Sequence, residues 1–213
     1  MNFSTYIQKV KEQLNKKLPG EAAWKQMAPP ARNLNFKNNE DTNIKKSAVL
    51  LLLFPENNIT KLVLIKRASS TGIHSGQISL PGGGVEPADK TIIDTALRET
   101  HEEIGIDTTH IQILGLLSKL FIFVSNYSVQ PIVGALNYIP KFEPNNMEVE
   151  KIIEIPLNIL FNPTTKQSKI MQLNNNNIKI PYYDILGDHV WGATAMILSE
   201  YYEAIEKNII KQN

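Results

Sequence analysis

The feature that most limits the fold is the apolar run AVLLLLF, Ala48 to Phe54. Seven residues are far too few to cross a bilayer, so the run reads as a buried strand. Asn57 and Asn58 follow in the turn-prone PENN, and KLVLIKR (61–67) then completes a hairpin of two strands. Gly72 to Gly76 reads as a loop, QISL (77–80) as a short strand and PGGGVEP as a constrained turn. From Thr91 the spacing changes to helical: Ile93, Ala96, Leu97, Thr100 and Ile104 make one stripe of period near 3.6, and Gly105 stands where a capping glycine ends a helix. Strand-like segments recur at 111–117, 128–138 and 149–155, followed by a short element, PLNILF (156–161). The asparagine tract 174–177 reads as a hairpin tip between strands near 168–173 and 178–184, and Gly192 to Lys207 as a closing helix. Ahead of all this, residues 3–17 form an amphipathic helix closed by LPGE, and Asn33 to Lys46 reads as a linker. The order predicts a mixed α/β sandwich, with residues 1–46 as an N-terminal helix and linker packed on a core of 47–213. That helix covers the core or meets a second subunit, so a homodimer is among the expected states.

The central helix is unusual in its charge. Glu99, Glu102 and Glu103 crowd into five positions directly after a run of glycines. Like charges at i,i+3 and i,i+4 each cost an isolated helix roughly 0.2–0.5 kcal/mol, and Arg98 is the counter-charge nearby within the helix. The three carboxylates fan over one face beside the apolar stripe, at the rim of a cleft. Grouped oxygens of this kind suit a hard divalent cation, Mg²⁺ or Mn²⁺, which in turn binds phosphate oxygens and activates water. The glycines let backbone approach a ligand closely and are placed to offer a carbonyl ligand. A solvated acidic helix face is the alternative reading of the same residues.

Composition removes other classes. A net charge of +1 gives no broad attraction for nucleic acid or an anionic membrane. The absence of cysteine excludes disulfides, thiolate zinc sites and cysteine nucleophiles, and fits the reducing cytoplasm. The opening MNFSTYIQKVKEQLNKK has no apolar core of the sort a secretory signal needs.

Gly82 to Gly105 resembles the box of the Nudix hydrolases, G-x5-E-x7-R-E-U-x-E-E-x-G-U. RETHEEIGI (98–106) matches its second half, with Thr100 in place of an aliphatic residue. In the first half, keeping Pro81-Gly82-Gly83 in register places Asp89 at the acid, one residue further from Arg98 than the pattern has it. Counting back from Arg98 instead gives Lys90. The resemblance implies a Nudix-type α/β/α sandwich with a central mixed sheet, and a pyrophosphate hydrolase using Mg²⁺ or Mn²⁺. It implies metal ligation by Glu99, Glu103, Glu102 and Gly83, an Asp89–Arg98 pair, and Glu148 or Glu150 in a later loop as a place for a general base. Upstream, LIKRASSTGIHSGQISLPGG (64–83) is similar to the motif of coenzyme A diphosphatases through Arg67, Gly76, Ile78, Pro81, Gly82 and Gly83. Gly72 stands at the motif's second arginine and Leu80 at its aromatic. A small nucleotide is therefore the expected partner, with Arg67 and His74 as candidate phosphate contacts. Trp191 and Tyr182–Tyr183 are candidates to stack a base, with core packing the stronger reading for Trp191.

Overall fold

The computed structural model describes residues 1–30, 44–69, 76–123, 125–173, 176–185 and 187–210. Two short helices come first, α1 (Phe3–Leu14) and α2 (Glu21–Trp24). The strands β1 (Lys45–Glu56), β2 (Ile59–Arg67), β3 (Ile78–Ser79) and β4 (Gly82–Gly84) precede the central helix α3 (Ile92–Ile104). After it run β5 (Gln112–Leu116), β6 (Leu120–Ile122), β7 (Tyr127–Ala135), β8 (Val149–Pro156) and α4 (Leu157–Leu160). The chain finishes with β9 (Lys166–Leu173), β10 (Asn176–Ile185), β11 (Asp188–Trp191), α5 (Gly192–Tyr201), a π-helical turn (Tyr202–Glu206) and α6 (Lys207–Ile210).

Eight strands form one mixed sheet with the path β3-β2-β1-β7-β5. On it β4 also pairs with β1, β6 with β7 and β8 with β2. β1 lies parallel to β7 and antiparallel to β2 and β4. Alternation along β1 divides the apolar run between two cores. Ala48, Leu50, Leu52 and Phe54 pack with Val63, Ile65, Ala96 and Ile104 on the α3 side. Leu51 and Leu53 pack with Val10, Trp24, Met196 and Tyr201 on the other. Both faces of the sheet are thus covered by helices, as the expected sandwich requires. A second sheet, β11-β10-β9, adds Tyr183, Ile185 and Val190 to the latter core.

Several expected boundaries move. β1 begins at Lys45, inside the expected linker, because Lys45 and Lys46 extend the parallel ladder to Tyr127 and Ser128. Pro55 and Glu56 continue the strand, so the hairpin turn shrinks to Asn57–Asn58, both at positive φ as a two-residue turn of this hand requires. Gly82–Gly84 is a strand rather than a turn, held in register against Ser47–Val49. α1 stops at Leu14, three residues early, and Asn176–Asn177 belong to β10 instead of a hairpin tip. α2, β6 and β11 carry too few residues for a periodic signal.

The N-terminal helix covers the core of its own chain, burying Tyr6, Ile7, Val10 and Leu14. Two polar clusters fasten this region to the end of the chain. Glu200, fully buried, accepts from Gly20 N (3.1 Å), Trp24 Nε1 (3.1 Å) and Ser118 N (3.3 Å). Tyr6 OH donates to Glu206 and lies 2.6 Å from Tyr201 OH. The closing helix is therefore not uniformly α, as expected for 192–207. A π turn brings residues five apart toward one face, and here it lets Tyr201 and Glu206 both reach Tyr6.

Candidate active site

The site grows from the packing of α3 against β4. Thr91 caps the helix in a reciprocal box with Asp94, and Gly105 ends it at φ 69° with Glu143 too close for any side chain there. Thr100 occupies a buried position of the apolar stripe because its hydroxyl bonds the Ala96 carbonyl at 2.6 Å.

Arg98 organises one side of the cluster. Its Nε and Nη2 take the two oxygens of Asp89 at 3.0 and 3.1 Å, and Nη2 also donates to the Gly84 carbonyl at 2.8 Å. Nη1 reaches Glu99 at 3.1 Å and Glu102 at 2.9 Å. Asp89, its side chain 3% exposed, further accepts from Thr95 Oγ1 and Glu86 N. The bidentate guanidinium beside it holds its carboxyl well below the usual range. Asp89, and not exposed Lys90, is thus the acid that meets the arginine. The extra residue is taken up in the loop.

Glu103 lies on the other side and is 1% exposed. Gly82 N donates to its Oε2 at 2.8 Å and Arg67 Nη1 to its Oε1 at 3.0 Å. Burial pushes its carboxyl up to about 7, against the pull of Gly82 and Arg67 and with the help of Glu99 and Glu148. Glu99 is 15% exposed and is also raised, first by burial, with Arg98 opposing and Glu102 and Glu148 adding. Its carboxylate lies against Gly83, where a Cβ would come within 2.4 Å of it. Glu102 is 48% exposed and stands at the rim.

Glu148 is exposed just before β8. Its carbonyl accepts from Ala68 N at 2.8 Å, which sets it beside Arg67, and its charge is felt by Glu99 and Glu103. The loop carrying it is tied to α3 by Asn145 N on the Glu103 carbonyl at 3.0 Å, a link with no sequence signal. Glu150 instead pairs with Lys66.

Two expectations change. Glu103 was expected to border the cleft but is fully covered, because the glycine strand packs directly over the last turn of α3. Arg67, expected to be free to meet a phosphate, is instead bonded to Glu103 in this structure. The carboxylates are thus held by two arginines, and among the described residues no three acidic or histidine side chains share one metal-ligating point. Their chemistry nevertheless fits a hard cation: anionic oxygens, partly desolvated, that raise one another's affinity for positive charge. Gly82 and Gly83 lie in this cluster; His74 and Gly72 are outside the described residues. Tyr183 belongs to the core against Phe161, which removes it as a stacking surface for a base. Tyr182 is buried against His189, and Trp191 is half-buried opposite Tyr182 at the end of β11.

Comparison with known proteins places these features. The NUDIX domain family matches residues 44–150. An uncharacterised Nudix hydrolase, NudL, of Photorhabdus laumondii is 32% identical over 181 residues, covering 85% of this chain and 92% of its own. The mitochondrial Nudix hydrolase 15 of Arabidopsis thaliana is 35% identical over 163 residues, covering 72% and 56%. Among solved structures, the Nudix hydrolase RenU of M. smegmatis aligns with a TM-score of 0.52 at 13% identity, over 79% of this chain and 87% of that one. The MutT protein of Methanosarcina mazei aligns with a TM-score of 0.50 at 18% identity, over 78% and 94%. The structural likenesses speak for the fold alone.

Proposed function

The chain belongs to the Nudix hydrolase family, and from that premise we propose that it cleaves the pyrophosphate linkage of coenzyme A or acyl-coenzyme A, giving 3′,5′-ADP and (acyl-)4′-phosphopantetheine. The observation that carries hydrolysis at this site is the buried Glu103 carboxylate on the Gly82 amide, with Glu99 beside it under Gly83. Glu99 and Glu103, with Glu102 and the Gly83 carbonyl, would hold Mg²⁺ or Mn²⁺, which neutralises pyrophosphate charge and lowers the pKa of bound water. Arg98 fixes the helix to the glycine strand through Asp89 and Gly84, so that the carboxylates keep their positions. We assign Glu148, exposed and close in charge to Glu99 and Glu103, as the group that takes the proton from the attacking water. α1 and α2 serve as a cover for the hydrolase domain rather than as a unit of their own. We place the reaction in the cytoplasm, as the sequence leads us to expect; separately, none of the described helices is long and apolar enough to cross a membrane.

Support for the coenzyme A substrate is the run around Arg67 and Pro81-Gly82-Gly83. A second reading keeps the chemistry and replaces the substrate with ADP-ribose, NADH or a related nucleoside diphosphate derivative. It is favoured by Gly72 at the place of the second arginine and by the engagement of Arg67 with Glu103, which leave fewer cations for a 3′-phosphate. The test is kcat/KM for coenzyme A, dephospho-coenzyme A and ADP-ribose with each metal, with products identified. Preference for coenzyme A and formation of 3′,5′-ADP are expected; a preference for ADP-ribose removes the coenzyme A assignment. Excess EDTA should abolish turnover with every substrate, and undiminished turnover would overturn the metal role.

A further inference from the structure

Arg67 and Glu103 form an ion pair in which one partner is fixed and the other is not. Glu103 is immobile: it sits in the last turn of α3, its Oε2 is pinned by Gly82 N at 2.8 Å, and its main-chain oxygen accepts from Asn145 N. Arg67 ends β2 and its side chain is 34% exposed. The ladder between β2 and β8 shifts register between Lys66 and Arg67, an irregularity of the kind that re-aims a side chain. A long side chain at a strand end, with one edge in solvent, can swing without disturbing the sheet.

We propose that Arg67 is a displaceable counter-ion, which neutralises Glu103 while the site lacks metal and turns to a substrate phosphate once a divalent cation takes that carboxylate. The proposal rests on the reading of Glu103 as a metal ligand. A carboxylate this deeply buried is costly without a positive partner, and Arg67 supplies one at 3.0 Å. A divalent cation supplies more charge at the same oxygen and repels the guanidinium. Once displaced, the guanidinium presents its planar fork to the nearest anion, and in an occupied cleft that anion is a phosphate. Metal and substrate then bind in a coupled order, metal first.

The experiment titrates Mn²⁺ without substrate, following the free ion by electron paramagnetic resonance, with wild type and Arg67→Gln. Removing the competitor should tighten Mn²⁺ binding roughly tenfold, the weight of one charge-assisted bond. Arg67→Gln should also melt lower than wild type without metal, and saturating Mn²⁺ should close that gap, which a purely structural arginine would not do. A measurement on wild type alone covers the case of a variant that fails to fold. The side-chain ¹⁵N signal of Arg67, assigned in wild type through its own backbone resonances, should be protected without metal and lose protection on adding Mg²⁺. Equal or weaker Mn²⁺ binding by Arg67→Gln, or an Arg67 signal that Mg²⁺ leaves unchanged, overturns the displacement alone. Failure of wild type to bind Mn²⁺ at all overturns the metal reading of Glu103, and the displacement with it.

Discussion

Two neighbouring glycines separate the catalytic demands of this site from its folding demands. Gly83 pairs with Ala48 in the β1–β4 ladder and has no left-handed backbone, so alanine meets no conformational strain there. Its Cβ would stand 2.4 Å from the Cδ and both oxygens of Glu99. That is about 1 Å inside the ~3.5 Å at which such atoms rest, and Glu99, the end of a flexible chain, is what moves. A displacement of about 1 Å in a reacting group costs on the order of a hundredfold in rate. Gly83→Ala should therefore lower kcat/KM about a hundredfold and leave the thermal midpoint nearly unchanged. At Gly82 the reverse holds: φ is 149° and a Cβ would lie 2.2 Å from the Ala48 carbonyl oxygen, which is backbone and cannot yield. Gly82→Ala should fail to fold or melt far lower, whereas Gly84→Ala, with nothing within 4 Å, should behave as wild type. Parallel steady-state kinetics and melting curves on the three variants check this. Near wild-type kcat/KM for Gly83→Ala would refute the placement of Glu99 at the reacting centre, and a parallel loss of stability would refute the separation.

Glu99→Gln should keep the fold and lower kcat at least about a hundredfold, the scale of losing one electrostatic stabiliser, as read by steady-state kinetics. Asp89→Asn should cost about 2 kcal/mol at pH 7 by urea denaturation, because it weakens the bidentate bond to Arg98. Asp89 titrates lower in the folded chain than in the unfolded one, so its contribution is complete above about pH 4. It is lost as pH falls further, and the gap between wild type and variant should narrow in that window. Glu200→Ala should cost about 3 kcal/mol or more, since it leaves the amides of Gly20 and Ser118 and the indole of Trp24 buried without an acceptor, and Glu200→Gln should cost less. Urea denaturation of both variants reads the difference.

What the sequence revealed follows the range of each interaction. The α3 stripe, its glycine stop and the Asp89–Arg98 pair all lie within a few turns of chain, and the residue spacing carries them. Three glycines are poor strand formers, and only the ladder to Ser47–Val49 makes Gly82–Gly84 a strand, so local pattern reads a turn. Arg67 and Glu103 are 36 residues apart, and their pairing depends on how the fold brings the end of β2 to the last turn of α3. No spacing rule reports that, and Arg67 reads as free for phosphate. Glu200 and Glu206 fall in SEYYEAIEK, which looks like a solvated helix end. Their burial comes from partners near the other end of the chain.

Those distant partners constrain how the protein is made. The bonds Trp24–Glu200 and Tyr6–Glu206 span 176 and 200 residues of sequence. During synthesis α1 and α2 leave the ribosome long before the segment that satisfies Trp24 and Tyr6 exists. Their apolar faces, Val10 and Trp24 among them, wait uncovered while the rest of the chain emerges. Contacts of such separation close late, after the entropy of a long loop has been overcome. The nascent chain is thus most exposed to aggregation and to holding chaperones just before residues 200–206 appear, and substitutions at Glu200 should reduce yield in cells more than they reduce the activity of the protein that does fold.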